Sequence, residues 1–398
     1  MWITRIYEKT LQSLAQEFPA LVLTGPRQVG KTSTLLKVFP DHGYVSLDLP
    51  YNAAQAEENP EKFLSDHGEL LIVDEVQYAP SLFRYLKFAI DSDRRPGRFL
   101  LTGSQHFQLM NTISESLAGR CGFMNMLGLS RAELFTAHGA LSEDDFIWKG
   151  GMPELYARPE ITPEYWFTSY VATYLERDVR NILNVGNLRD FDRFLRACAL
   201  RIGQLLSLSD LARDVGISPN TAKSWISVLE ASGQIFLLEP FYRSLGKRLN
   251  KSPKLYFTDT GTAAFLLGFD SPAGLFQSPF AGQFWENYVL LEYLKLVRAR
   301  AKQPRVWFWR TRSGEEVDLI IEHAGRIMAI ECKQRERPGE KDIRGLKSFS
   351  SHMQGKVQGL VACRTPRAYP LGESVEAMPV RDIAEKFSDL SLRVLPEV

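Results

Sequence analysis

The run Gly25-Pro26-Arg27-Gln28-Val29-Gly30-Lys31-Thr32 follows the apolar stretch Leu21-Val22-Leu23-Thr24 and precedes residues compatible with a helix. A glycine, four residues and then Gly-Lys-Thr, set between a strand and a helix, is the pattern of a loop that wraps phosphates. The glycines let backbone N–H groups turn inward toward anionic oxygen. The helix that begins near Lys31 adds the positive end of its dipole. Lys31 is expected to reach the β- and γ-phosphates and the Thr32 hydroxyl to bind Mg²⁺, with Ser33 completing the loop contacts. Residues 25–33 are therefore expected to bind a nucleoside triphosphate.

Two carboxylates stand where such a site needs them. Leu70-Leu71-Ile72-Val73 is a continuous apolar run, which reads as a buried parallel strand, and it ends in Asp74-Glu75. Asp74 suits the Mg²⁺ shell and Glu75 suits polarising an attacking water. A further apolar strand, Phe99-Leu100-Leu101-Thr102, ends in Gly103-Ser104-Gln105, so Ser104 or Gln105 is a candidate sensor of the γ-phosphate. Arg120 is a candidate arginine for the same phosphate, in cis or from a neighbouring subunit, the alternative being a salt-bridge partner. Residues 44–48 read as one more strand between the loop and Asp74. No Asn-Lys-x-Asp guanine-reading motif is present, which favours ATP over GTP. The extra strand and the glutamate beside Asp74 resemble the additional-strand glutamate class of P-loop ATPases, to which the AAA+ proteins belong.

A second group of charged residues lies near the C-terminus. Residues 316–322 and 326–333 read as two strands separated by His323-Ala324-Gly325. If Ala324-Gly325 is a two-residue hairpin loop, Asp318 lies opposite Glu331, and Glu316 opposite Lys333. Asp318, Glu331 and Lys333 then share one face. Like charges directly opposite one another are unfavourable, and a divalent cation between them reverses that. Lys333 would orient a water or stabilise developing charge, and Glu286, on an upstream helix, is a candidate third carboxylate. The alternative is a solvent-facing hairpin in which Lys333 neutralises Glu316 and Glu331.

The elements that must carry these groups can be read coarsely. Residues 1–18 read as a short helix leading into the loop domain, and Gly150-Gly151-Met152-Pro153 punctuates the chain. A helical stretch follows, to about residue 203. Residues 209–215 read as a helix closed by Gly216. Ser218 is a good N-cap and Pro219 a good first residue for a second helix to Ala231 with Trp225, Ile226 and Leu229 inward. Two extended segments follow, as in a winged helix. Between Glu239 and Asp259, the cations Arg243, Lys247, Arg248, Lys251 and Lys254 occur with no acidic residue. So do Lys295, Arg298, Arg300, Lys302, Arg305, Arg310 and Arg312 between Glu292 and Glu315, interleaved with Trp307, Phe308 and Trp309. Both stretches suit nucleic-acid phosphates, and the aromatics suit either base stacking or a core.

With 44% hydrophobic and 24% charged residues and a formal net charge of +1, the chain reads as an ordinary globular protein. Any nucleic-acid surface must come from local segregation of charge. Four scattered cysteines and unpaired histidines argue against disulfides and zinc sites, and a reducing cytoplasm is expected. No signal peptide or membrane span is expected. Oligomeric state is not legible.

Segments 25–32, 73–77, 101–105, 117–120, 150–153, 174–179, 254–261, 282–289, 313–318 and 329–333 resemble, in order, a family of prokaryotic AAA+-like ATPases. The C-terminal half of that family is a domain of unknown function. The resemblance implies an α/β architecture of a P-loop AAA+-like parallel-sheet domain (1–150), a helical linker (151–203), a winged helix (204–262) and a restriction-endonuclease-like α/β domain (279–398). The order helix, three strands, helix, strand is similar to the PD-(D/E)XK nuclease core. The expected function is ATP hydrolysis coupled to DNA, with a metal-dependent nuclease site at Asp318, Glu331, Lys333 and Glu286. The alternatives are an ATP-controlled DNA- or protein-binding switch with an inactive nuclease-like fold, and an assembly ATPase acting on proteins.

Overall fold

The computed structural model describes residues 2–103, 116–139, 141–175, 188–242, 252–323, 325–353 and 357–392. Among the described residues, five segments form the N-terminal sheet: β1 (Ala20–Thr24), β2 (Gly43–Ser46), β3 (Leu71–Asp74), β4 (Phe99–Gly103) and β5 (Cys121–Asn125). All pairings are parallel, in the order β2-β3-β4-β1-β5. In β1 the period of two sends Ala20 and Val22 into a cluster with Val73, Leu101, Phe83 and Leu86. Leu21 and Leu23 face Tyr7, Leu11, Leu35 and Ile72 on the other side. Both faces are buried, which is why these strands read as unbroken apolar runs.

The strand read between the loop and Asp74 is β2, and it takes the sheet edge. In the sheet, β4 is the strand that separates β1 from β3. The burial patterns explain the arrangement: all five β4 residues are buried, whereas Gly43 and Tyr44 of β2 are exposed. Strand β5 has no apolar run. It alternates half-buried and buried residues at the other edge and was not legible as a strand.

The central helices form as their caps dictate. Ser207 caps the helix Leu208–Val215, Gly216 ends it in a left-handed conformation, and Ser218 caps Pro219–Ala231. Trp225, Ile226 and Leu229 are buried, and Phe191 and Phe194 meet the Trp225 ring edge-on. An antiparallel hairpin of β6 (Ile235–Leu238) and β7 (Lys254–Phe257) follows.

The C-terminal sheet contains β8 (Val306–Arg310), β9 (Glu316–His323), β10 (Arg326–Cys332), β11 (Val357–Ala362), β12 (Tyr369–Gly372) and β13 (Val375–Met378). Its order is β12-β13-β11-β10-β9-β8. β9 and β10 pair from Arg326–His323 to Ile330–Leu319, the register that a two-residue loop implies. The helix Ala281–Arg298 packs Phe284 and Trp285 with Leu319 and Ile330, and Arg344–Met353 packs Leu346 and Phe349 with Ile320 and Ala329. The aromatics of β8 serve this core. Phe308 is buried, Trp307 meets Phe241, and Trp309 meets Phe349, so they do not form an open stacking platform. Among the described residues no helix is long and apolar enough to cross a membrane.

Candidate functional site

The loop after β1 is shaped by close contact with the residue that follows β5. A Cβ on Gly25, whose φ is 142°, would lie 2.0 Å from the Met126 carbonyl oxygen, so only glycine fits. Gln28 (φ 64°) and Gly30 (φ 90°) turn the chain back toward the helix Lys31–Val38. Lys31 Nζ folds over the loop and donates to the carbonyls of Gly25 (3.0 Å) and Pro26 (2.9 Å). Thr32 Oγ1 donates to Asp74 Oδ1 at 2.8 Å, Thr102 donates to the same oxygen, and Tyr44 donates to Oδ2 at 3.2 Å. Partial desolvation and the neighbouring Asp74 charge push the Tyr44 hydroxyl above its ordinary value. The hard oxygens of Thr32 and Asp74 therefore sit together at the ends of the Lys31–Val38 helix and β3.

Glu75 is a non-glycine residue held at φ 55°, and its carboxylate accepts from the Gln77 side chain. Backbone strain of this kind concentrates at functional sites. Ser104 and Gln105 lie outside the described residues. Arg27, Val29 and Ser33 stay with the loop and its helix, and a cleft of ≈ 400 Å³ opens beside it, lined by Trp2, Arg5, Gly30, Ser33, Thr34 and Pro153.

Arg120 takes the salt-bridge alternative. It precedes β5, whose first residue pairs with Ala20 at the start of β1, so it lies at the opposite end of the sheet from the loop. Five strand residues separate the two ends by about 17 Å. Its guanidinium makes a bidentate pair with Asp91, at 2.8 Å to each oxygen, rather than facing its own chain's γ-phosphate position.

Several residues not foreseen hold the loop from outside. Arg5 is buried and donates to Val29 O (2.7 Å), Leu127 O (2.8 Å) and Glu133 Oε1 (2.9 Å). Asn125 donates to Thr24 Oγ1 (3.1 Å) and accepts from Arg298, the last residue of the helix Ala281–Arg298 (2.7 Å). Gly233, at φ 72° after the Pro219–Ala231 helix, packs on Pro26; a Cβ there would lie 3.1 Å from Pro26 Cγ. A lone arginine before a helix, or a glycine far along the chain, carries no sequence signal for these contacts.

The basic stretches are partly spent inside the fold. Lys254 is buried, and Lys295 donates to Leu129 O (2.8 Å) and Glu292 (3.1 Å). Arg298 binds Asn125, Arg305 pairs with Glu322 (3.2 Å) and Arg310 with Glu316 (3.5 Å). Arg243, Lys247, Arg248 and Lys251 lie outside the described residues.

The C-terminal carboxylates are brought near one another, with lysine ammonium groups between them. Glu286 accepts from Lys254 (2.8 Å) and Tyr256. Asp318 Oδ2 accepts from the Cys332 N–H (2.7 Å), and Glu331 Oε1 accepts from Lys333 (2.6 Å). Glu316 pairs with Lys254 rather than with Lys333. Burial and the Asp318 charge push the Glu331 carboxyl up to about 9, and burial pushes Glu286 up to about 7. Among the described residues no three His, Cys, Asp or Glu side chains are set to hold a metal ion. The cations beside these carboxylates are lysines: Lys254 serves Glu286 and Glu316, and Lys333 serves Glu331 Oε1.

Residues 17–135 match an AAA domain. Residues 142–273 match a domain of unknown function (DUF8612), and 281–383 match another (DUF4143). Among solved structures, the Walker-type ATPase PABY2304 of Pyrococcus abyssi is 17% identical, over 65% of this chain and 94% of that one, with a TM-score of 0.43. AMPPCP-bound DnaA from Aquifex aeolicus is 16% identical, over 56% and 86%, with a TM-score of 0.29. The uncharacterized proteins Mb2031c of Mycobacterium bovis and Rv2008c of Mycobacterium tuberculosis are each 32% identical over 377 residues, 92% of this chain and 81% of the relative. The chain thus belongs to the family of these two mycobacterial proteins, and its N-terminal part is an AAA-type ATPase domain.

Proposed function

We propose that the chain is a Mg²⁺-dependent ATPase whose nucleotide cycle is passed to the helix-turn-helix unit and the C-terminal sheet domain. The observation that carries this reading is the convergence of Lys31, Thr32 and Asp74 at the Gly25 loop, with Glu75 one residue on. Thr32 and Asp74 fit Mg²⁺ as hard oxygen donors and would hold it there. Bound there, the ion neutralises charge on the β- and γ-phosphates. Lys31 exchanges its loop carbonyls for phosphate oxygens, the loop residues 25–33 cradle the phosphates, and the cleft beside Trp2 takes the base. Glu75 orients and deprotonates the attacking water, and Gln77 holds the Glu75 carboxylate. Ser104 is kept as a candidate γ-phosphate sensor.

The test is turnover and nucleotide binding of two variants. Lys31→Ala is expected to lose ATP binding. Glu75→Gln is expected to bind ATP with near-normal affinity and hydrolyse it about 10²–10⁴-fold more slowly. Unchanged turnover in Glu75→Gln removes the base assignment.

For the C-terminal half, the switch reading is favoured over a nuclease. The engaged state of Glu286, Asp318, Glu331 and Lys333 supports it. The two capped helices and the β6–β7 hairpin are read as a winged helix with DNA as its candidate partner. A DNA affinity that falls steeply with salt supports that partner. No affinity at low salt, with protein partners retained, favours the protein-binding form of the switch.

A further inference from the structure

Lys254 belongs to β7, in the hairpin after the capped helices, yet its side chain ends among carboxylates of the C-terminal domain. It is 3% exposed. A buried ammonium persists only where acceptors and negative charge replace its water. Nζ donates to Glu286 Oε1 at 2.8 Å, is ion-paired with Glu316, and faces Asp318 Oδ1 at 4.0 Å. The Phe308 ring closes another side, 5.5 Å from Nζ. Burial acts to lower the Lys254 pKa, but the surrounding carboxylates outweigh it and hold the amine protonated.

We propose that the Lys254 ammonium occupies the position these carboxylates would otherwise offer to a divalent metal. The chain supplies its own cation, and the C-terminal domain is latched to β7 in a metal-free state. A second observation lies beside this cluster, at a carboxylate that feels the Asp318 and Glu286 charges. Glu331 is 8% exposed, and its Oε2 is buried without a hydrogen-bond partner, although Oε1 is held by Lys333. A small divalent ion binds oxygens at roughly 2.0–2.6 Å and recruits several at once. An ammonium has three directed hydrogens and longer contacts, and Lys333, bound to Oε1, leaves Glu331 Oε2 unserved. A metal ion must displace Lys254, because both draw on Glu286, Glu316 and Asp318. Access of metal to the cluster is therefore set by the position of β7, an element outside the C-terminal sheet.

The experiment is a Mn²⁺ titration of the full-length chain without nucleotide, read by electron paramagnetic resonance of free Mn²⁺. Each protein is compared with its Asp318→Asn counterpart, which separates this cluster from the Thr32–Asp74 site. With Lys254 present, no Asp318-dependent binding is expected up to about 1 mM Mn²⁺. Lys254→Met is expected to gain one Asp318-dependent site, at least about 100-fold tighter. Asp318-dependent binding below that concentration with Lys254 in place overturns the proposal. So does a folded Lys254→Met variant that gains no site. If Lys254→Met does not fold, the protein retaining Lys254 decides alone, by the same threshold. No result depends on ATP, so failure here leaves the ATPase reading untouched.

Discussion

Arg5→Met keeps the apolar stem of the side chain and removes its guanidinium. The loss can be worked from three contacts: Glu133 at 2.9 Å, Val29 O at 2.7 Å and Leu127 O at 2.8 Å. The Arg5 and Glu133 side chains are 3% and 1% exposed, so this is a buried pair. Removing one partner of such a pair costs about 3–5 kcal/mol. Glu133 keeps the N–H groups of Ile6 (2.8 Å) and Ser130 (2.6 Å), which solvate its charge. The lower end, about 3 kcal/mol, is therefore expected. At about 2–4 °C per kcal/mol for a domain of this size, Tm falls by about 6–12 °C. A second effect reaches the nucleotide. In a trans peptide the C=O and N–H point to opposite sides. By holding Val29 O outward, Arg5 turns the Gly30 N–H into the loop. Without that hold, one charge-assisted phosphate contact is lost, about 1.5–3 kcal/mol or about 10- to 150-fold in Kd. The assay is titration with a fluorescent ATP analogue well below Tm, alongside thermal unfolding. Arg5→Met/Glu133→Gln should recover stability, because the orphaned charge is gone, without recovering affinity. An ATP Kd unchanged within about twofold in a destabilised Arg5→Met refutes the orientation argument.

Gly233→Ala forces a side chain into a left-handed conformation with its Cβ 3.1 Å from Pro26 Cγ. A stability loss of about 1–2 kcal/mol in urea and weaker ATP binding are expected together. Arg298→Met removes the donor to Asn125 Oδ1 (2.7 Å). A loss of about 1–3 kcal/mol is expected, and a change in turnover larger than that of Arg300→Met checks the link to the loop. Arg120→Ala removes the pair with Asp91 at the far end of the sheet. Steady-state hydrolysis by dilute protein should be unchanged; a loss beyond about tenfold would return Arg120 to the nucleotide.

The parts legible beforehand are those where local chemistry and structure coincide. The loop pattern, the apolar runs of β1, β3 and β4, the Ser218 cap and the β9–β10 register each depend on residues a few positions apart. Strands β5 and β12 were not legible, because short edge strands carry half-buried alternation in place of an apolar run, and β13, though interior, is only four residues long and interrupted by the exposed Glu376. The charges were misread for a related reason. An acid-free stretch looks like a surface for phosphates, but Lys254, Lys295 and Arg298 find carboxylates or carbonyls on other elements.

By itself the sequence determined the phosphate-binding loop, the Asp74-Glu75 pair and the hairpin that brings Asp318 near Glu331, since backbone period and loop length fix these locally. The tertiary structure alone decided which charges meet. Arg120 was sent to Asp91 by the direction of β5, Arg5 to the back of the loop, and Lys254 into the C-terminal carboxylates. A buried charge must find its partner wherever the fold supplies one, and in this chain that partner is usually on a different element, far away in sequence.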